Sequence, residues 1–248
     1  MDSSKNEIKN IVDKYELFED FSTTNDENIK NIIRHIKDFV PFEKPDAIFE
    51  DDGIVFAIEH FQVSLYRKSG HNDVSKIAEG SQCKREKMKD DRDFDLQPSI
   101  ENFISALRDS LSSHSKSFES YKTNIISLEN YKSSEYRLVI FVEDSSKSGY
   151  VVRRRETEAV NPLLLKQIAE IFLEFKDSIW GVILTSGNEK QKRITGCTLE
   201  ELKDRLENNE LFDAKDFAPF EVGREVHVSK DDPAQDNNHV TIHLFDRL

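Results

Sequence analysis

The sequence predicts an α/β domain whose mixed central sheet is flanked by helices, with N-terminal helices before it and a polar C-terminal extension after it. Three observations lead there. Near-continuous apolar runs at residues 54–63 (IVFAIEHFQV), 136–142 (YRLVIFV) and 179–184 (IWGVIL) have the β-branched character of strands buried on both faces. Amphipathic stretches with helical spacing precede and separate these runs. The last two runs are joined through a helix, which makes them parallel, since a long crossover is what returns a chain to a parallel neighbour.

The elements follow in order. Ser4-Lys5-Asn6-Glu7 fits a capping box, and Ile8, Ile11, Val12, Tyr15 and Phe18 follow at helical spacing. Thr24-Asn25-Asp26-Glu27 fits the same box before Ile29, Ile32, Ile33, Ile36 and Val40. Pro41 and Pro45 end that second helix, because proline lacks the N–H and biases its predecessor to extended geometry. Residues 47–49 form a hairpin with 54–63 across the turn at 50–53 (EDDG). The polar residues of this second run gather at its far end, at Glu59, His60 and Gln62.

Residues 67–97 break the pattern and read as a mobile, charged insertion. Helical spacing resumes with Ile100, Phe103, Ile104, Leu107 and Leu111, and continues through a polar interruption at 112–117 to Ile126. After the strand at 136–142, Asn161-Pro162 places an N-cap before a helix through residues 163–176. Thr198-Leu199-Glu200-Glu201 caps a short helix beyond the third strand, and residues 239–245 read as a terminal edge strand. The implied division is an N-terminal helix at 1–23, a core at 24–190 and an acidic extension at 191–248.

Composition limits the function. The 248 residues carry 35 Lys and Arg against 48 Asp and Glu, a net charge of −13. Duplex nucleic acid is held mainly by phosphate neutralisation, so a chain this acidic needs a local basic patch to bind it. The 17 Phe and 6 Tyr supply enough apolar bulk for a core, which excludes a disordered chain. No apolar run approaches the ~18 residues of a membrane span, and the polar start lacks a signal core. Cys83 and Cys197 are too few for a disulfide framework. The expectation is a soluble, cytoplasmic protein with no membrane partner; the oligomeric state is not specified. The sequence contains no phosphate-binding P-loop, dinucleotide fingerprint, nucleophile elbow or zinc-protease motif.

The local feature with most chemical content is Pro45-Asp46 opening one hairpin strand, with Glu59 near the end of its partner. Two carboxylates so placed can converge at one edge of a sheet. Hard oxygen donors of this kind suit Mg²⁺, which retains several waters. A bound divalent ion then activates water and stabilises charge on a phosphoryl group.

Over about residues 24–184 this order of elements resembles the PD-(D/E)XK nuclease superfamily, the restriction-endonuclease-like fold. That core has a helix, a three-stranded antiparallel meander, a crossover helix and a further strand. Its proline-aspartate lies on one hairpin strand, an acidic-x-lysine pair lies on the next, and an acid often lies on the first helix. The resemblance implies Asp46 and Glu59 as ligands of Mg²⁺ or Mn²⁺, and assigns the first-helix acid to Glu27, which also fits a capping role. Phe61 stands where the lysine belongs. Strand alternation also allows the divergent pair His60-x-Gln62, so the catalytic candidates are Asp46, Glu59, His60 and Gln62, with the phase left open. Lys68, Lys76 and Lys166 are lysines that could reach the site from elsewhere. Arg153-Arg154-Arg155 and residues 84–89 are candidate phosphate contacts, while His114 and His243 read as surface residues. The implied activity is metal-dependent phosphodiester hydrolysis on DNA or RNA. The alternative is a nuclease-fold protein that has lost cleavage and acts as a binding or interaction module, which the missing lysine and the acidic surface favour.

Overall fold

The two strands with long apolar runs, residues 54–63 and 135–144, lie side by side in the interior of one sheet. The computed structural model describes residues 17–63, 66–68, 96–98, 100–144, 148–153, 159–188 and 191–221. In chain order these form β1 (Leu17–Asp20), α1 (Glu27–Arg34), β2 (Val40–Pro41), β3 (Ala47–Asp51) and β4 (Ile54–Val63). There follow β5 (Tyr66–Lys68), β6 (Leu96–Pro98), α2 (Ile100–His114), α3 (Phe118–Ile126), β7 (Glu135–Asp144), β8 (Ser148–Arg153) and β9 (Ala159–Val160). The rest is α4 (Lys166–Leu173), β10 (Gly181–Asn188), β11 (Gln191–Thr198), α5 (Leu199–Glu207) and β12 (Phe217–Glu221).

A mixed seven-stranded sheet organises the fold, in the order β1-β11-β10-β7-β4-β3-β2. Strands β4, β7 and β10 are mutually parallel, whereas β3 and β11 run antiparallel to them. Side chains of β4 alternate between two apolar layers. Val55, Ala57, Phe61 and Val63 join Phe103, Leu107, Tyr121 and Ile168 from the later helices, while Phe56 and Ile58 join Ile29, Ile32 and Ile33 of α1. Each Val, Ile, Leu and Phe side chain among them stabilises by roughly 1.5–3 kcal/mol when fully buried, so the strand is held from both sides. Helix α1 lies close on the sheet: a Cβ at Gly181 would stand 2.8 Å from Ile29 Cδ1.

Several elements differ from their expected form. Phe18, expected in a helix, lies in β1, which pairs in parallel with β11. The central sheet therefore draws strands from both sides of residues 24–190. Helix α1 ends at Arg34; Ile36 lies in a 3-10 turn and Val40 in the edge strand β2. Pro41 accounts for Val40, since the residue before proline is driven to extended geometry. The α1 cap is Asp26, whose side chain accepts the Asn28 and Ile29 N–H groups, while the Thr24 hydroxyl is drawn away to Glu201 Oε2 at 2.8 Å. Asn161 caps a 3-10 turn at Pro162–Leu164, and α4 begins only at Lys166. Thr198 and Glu201 form the expected capping box. The expected edge strand at 239–245, Lys76, residues 84–89, Arg154, Arg155 and His243 lie outside the described residues. Among the described residues no helix is long and apolar enough to cross a membrane.

Candidate active site at the end of strand β4

The polar end of β4 sits beside β3 on one flank and β7 on the other. The last registered β3–β4 pair is Ala47 with Ile58. Asp46 directly precedes that pair, and continuing the ladder by one residue would set it across from Glu59 and on the same face. Asp46 Oδ2 accepts the backbone N–H of His60 at 2.8 Å, where the ladder stops.

Glu59 is 5 % exposed, and a buried carboxylate requires donors around it. Two arrive from the crossover helices: Tyr121 Oη donates to Glu59 Oε1 at 2.8 Å, and His114 Nδ1 lies 2.5 Å from the same oxygen. Burial, and then the Glu59 charge, push the Tyr121 phenol above its ordinary value; the Asp46 carboxylate adds a smaller push in the same direction. Tyr121 thus senses both acids. Asn124, one turn further along α3, donates to the Lys44 carbonyl at 3.2 Å and ties the helix to the segment that delivers Asp46. Phe61, at the position where the resemblance places lysine, is buried, and its ring centroid lies 5.0 Å from that of His114.

His60 and Gln62 face the opposite layer. Gln62 Nε2 donates to Glu143 Oε2 at 2.7 Å, and His60 Nε2 stands 3.7 Å from that oxygen. Gln62, Glu143 and Thr185 form one row across β4, β7 and β10, because Glu143 is in register with both of the others. The four candidates therefore divide by face: Asp46 with Glu59, and His60 with Gln62.

The other candidates fall elsewhere. Glu27 is exposed and pairs with Lys30, whose ammonium holds that carboxyl below its usual range; it does not join Asp46 and Glu59. Lys166 pairs with Glu170 on its own helix at 3.8 Å. Lys68 lies in β5 and Arg153 in β8. His114, expected on the surface, reaches the buried Glu59 with its side chain 28 % exposed. A sequence signal for it exists: Leu107, Leu111, His114, Phe118 and Tyr121 continue one stripe at spacings of three and four residues.

Among the described residues no group of three or more His, Cys, Asp or Glu side chains is placed to hold a metal ion. Mg²⁺ is commonly held by only one or two carboxylates together with water and substrate phosphate oxygens, and the chemistry of Asp46 and Glu59 fits that pattern. No family model matches the chain, and neither a curated protein nor a solved structure does so.

Proposed function

We propose that the chain is a divalent-metal-dependent phosphodiesterase acting on nucleic acid, built on a restriction-endonuclease-like core. The observation that supports this reading is the Asp46 carboxylate at the Glu59–His60 end of β4, where it accepts the His60 N–H next to the last β3–β4 pair. The order of elements supports it. Helix α1 is followed by the antiparallel meander β2-β3-β4, the crossover helices α2 and α3, and the further strand β7, parallel to β4.

Asp46 and Glu59 would hold Mg²⁺ or Mn²⁺, which when bound supplies charge stabilisation and a more acidic water. Tyr121 and His114 fix the Glu59 carboxylate from one side. Asp46 is fixed by the His60 N–H. Phe61 makes one wall of the site apolar and limits water there.

Purified protein with Mg²⁺ or Mn²⁺ is expected to cleave at least one of single-stranded DNA, double-stranded DNA or RNA, and Asp46→Asn to abolish the cut. Intact substrates of all three kinds would remove the reading. A second reading, a nuclease-fold binding module without cleavage, draws on Phe61 and on the two donors already gathered at Glu59. Calorimetry with Mg²⁺ separates them: binding lost in Asp46→Asn supports the enzyme, and no binding supports the module.

A further inference from the structure

We propose a second divalent-cation site on the opposite face of the sheet, formed by His60, Glu143 and Thr185 and selective for a first-row ion such as Zn²⁺. It stands independently of the phosphodiesterase reading.

The row Gln62, Glu143, Thr185 lies near the C-terminal ends of β4 and β7 and at the last parallel pair of β7 with β10, the side of a sheet on which open α/β folds receive ligands. Thr185 is fully buried, and its Oγ1 makes no hydrogen bond among the described residues. Native proteins seldom leave such a hydroxyl unsatisfied, and its strand register directs it to the side of Glu143. A group that accepts oxygen lone pairs at this point is what the position lacks.

The distance between His60 Nε2 and Glu143 Oε2 points to the nature of that group. At 3.7 Å it is too long for a hydrogen bond. Two donors at about 2.1 Å from a shared tetrahedral ion lie about 3.4 Å apart, so a small closure would bring both to one cation. Gln62 already donates to the Glu143 carboxylate at 2.7 Å, the kind of outer hydrogen bond that orients a ligating oxygen. The donor set is mixed: one imidazole nitrogen, one carboxylate and one hydroxyl. Imidazole favours Zn²⁺ over Mg²⁺, whereas Asp46 and Glu59 offer oxygen alone. The two sites therefore differ in the ion they prefer.

The test uses the full chain, stripped with a chelator and titrated calorimetrically with Zn²⁺ alone. One equivalent should bind to the native protein and to Asp46→Asn. Glu143→Gln and the near-isosteric Thr185→Val should each weaken that binding tenfold or more, with circular dichroism confirming the fold. If Glu143→Gln fails to fold, Thr185→Val decides alone. Absence of Zn²⁺ binding, loss of the equivalent in Asp46→Asn, or unchanged affinity in Thr185→Val would overturn the proposal. A failure of nucleic-acid cleavage leaves each of these outcomes readable.

Discussion

The two faces of β4 carry buried polar groups at the same end of the same strand, yet they are finished differently. On one face, helices α2 and α3 bring a histidine and a tyrosine onto a single oxygen of Glu59. On the other, the row through Glu143 ends in the Thr185 hydroxyl, which has no hydrogen-bond partner among the described residues. A carboxylate surrounded by donors behaves as part of the core and costs stability when removed. A row that stops at an unsatisfied hydroxyl costs stability while it stands.

Glu59→Ala gives the largest expected break in this contrast. It removes the acceptor that Tyr121 and His114 share and opens a void beneath α3. Loss of one partner from a buried charged arrangement costs about 3–5 kcal/mol, and the urea midpoint should fall accordingly with an unchanged slope. A loss below about 1 kcal/mol would mean that the donors do not fix this face.

Glu201 provides a carboxylate with a similar number of donors in a more open corner, and so separates donor count from burial. It accepts from Thr24 Oγ1 at 2.8 Å, the Asn25 N–H at 2.6 Å and the Thr198 N–H at 3.0 Å. Partial burial pushes its carboxyl up, but the Asn25, Thr198 and Thr24 hydrogen bonds together hold it below the usual glutamate range. Discounted for solvent exposure, Glu201→Gln should cost about 1–2 kcal/mol at neutral pH. Folding lowers this group's affinity for a proton. Its contribution is therefore complete above the ordinary glutamate value of about 4.3 and declines as pH falls through the lower folded value. Urea unfolding of both proteins across that window should show the difference between them shrinking in acid. A difference that grows in acid would contradict the assigned hydrogen bonds.

How much of this was legible in the sequence depends on the range of the interaction. The apolar run of β4 announces a strand buried on both faces, and simple alternation separates Glu59 from His60 and Gln62. Pro45-Asp46 likewise marks the hairpin mouth. His114 and Tyr121 lie 55 and 62 residues from Glu59, so no local motif joins them, although their place on the α2–α3 stripe was readable. Thr24 shows the converse: its capping pattern is local, but a carboxylate 177 residues away competes for the hydroxyl and leaves the cap to Asp26. Strand β11 was hidden because Ile194 is the one large apolar residue among its buried positions 194–198; the others are small, and at Gly196 a Cβ would stand 2.8 Å from the Val182 carbonyl oxygen.

Thr185→Val is the smallest expected effect and the one with opposite sign. Valine keeps the β-branched shape that a central strand favours and removes only the hydroxyl. In the metal-free protein this deletes an unsatisfied buried group without removing a hydrogen bond, and the asymmetry of hydrogen-bond energetics makes such a change neutral to stabilising. The urea midpoint should rise by an amount equivalent to about 0.5–1 kcal/mol. With Zn²⁺ present the order should reverse, because an ion bound to the folded native protein stabilises it by mass action and the variant forfeits that gain. A Thr185→Val protein that is less stable than the native chain without metal would show that the hydroxyl is already satisfied, and the two faces of β4 would then be finished alike.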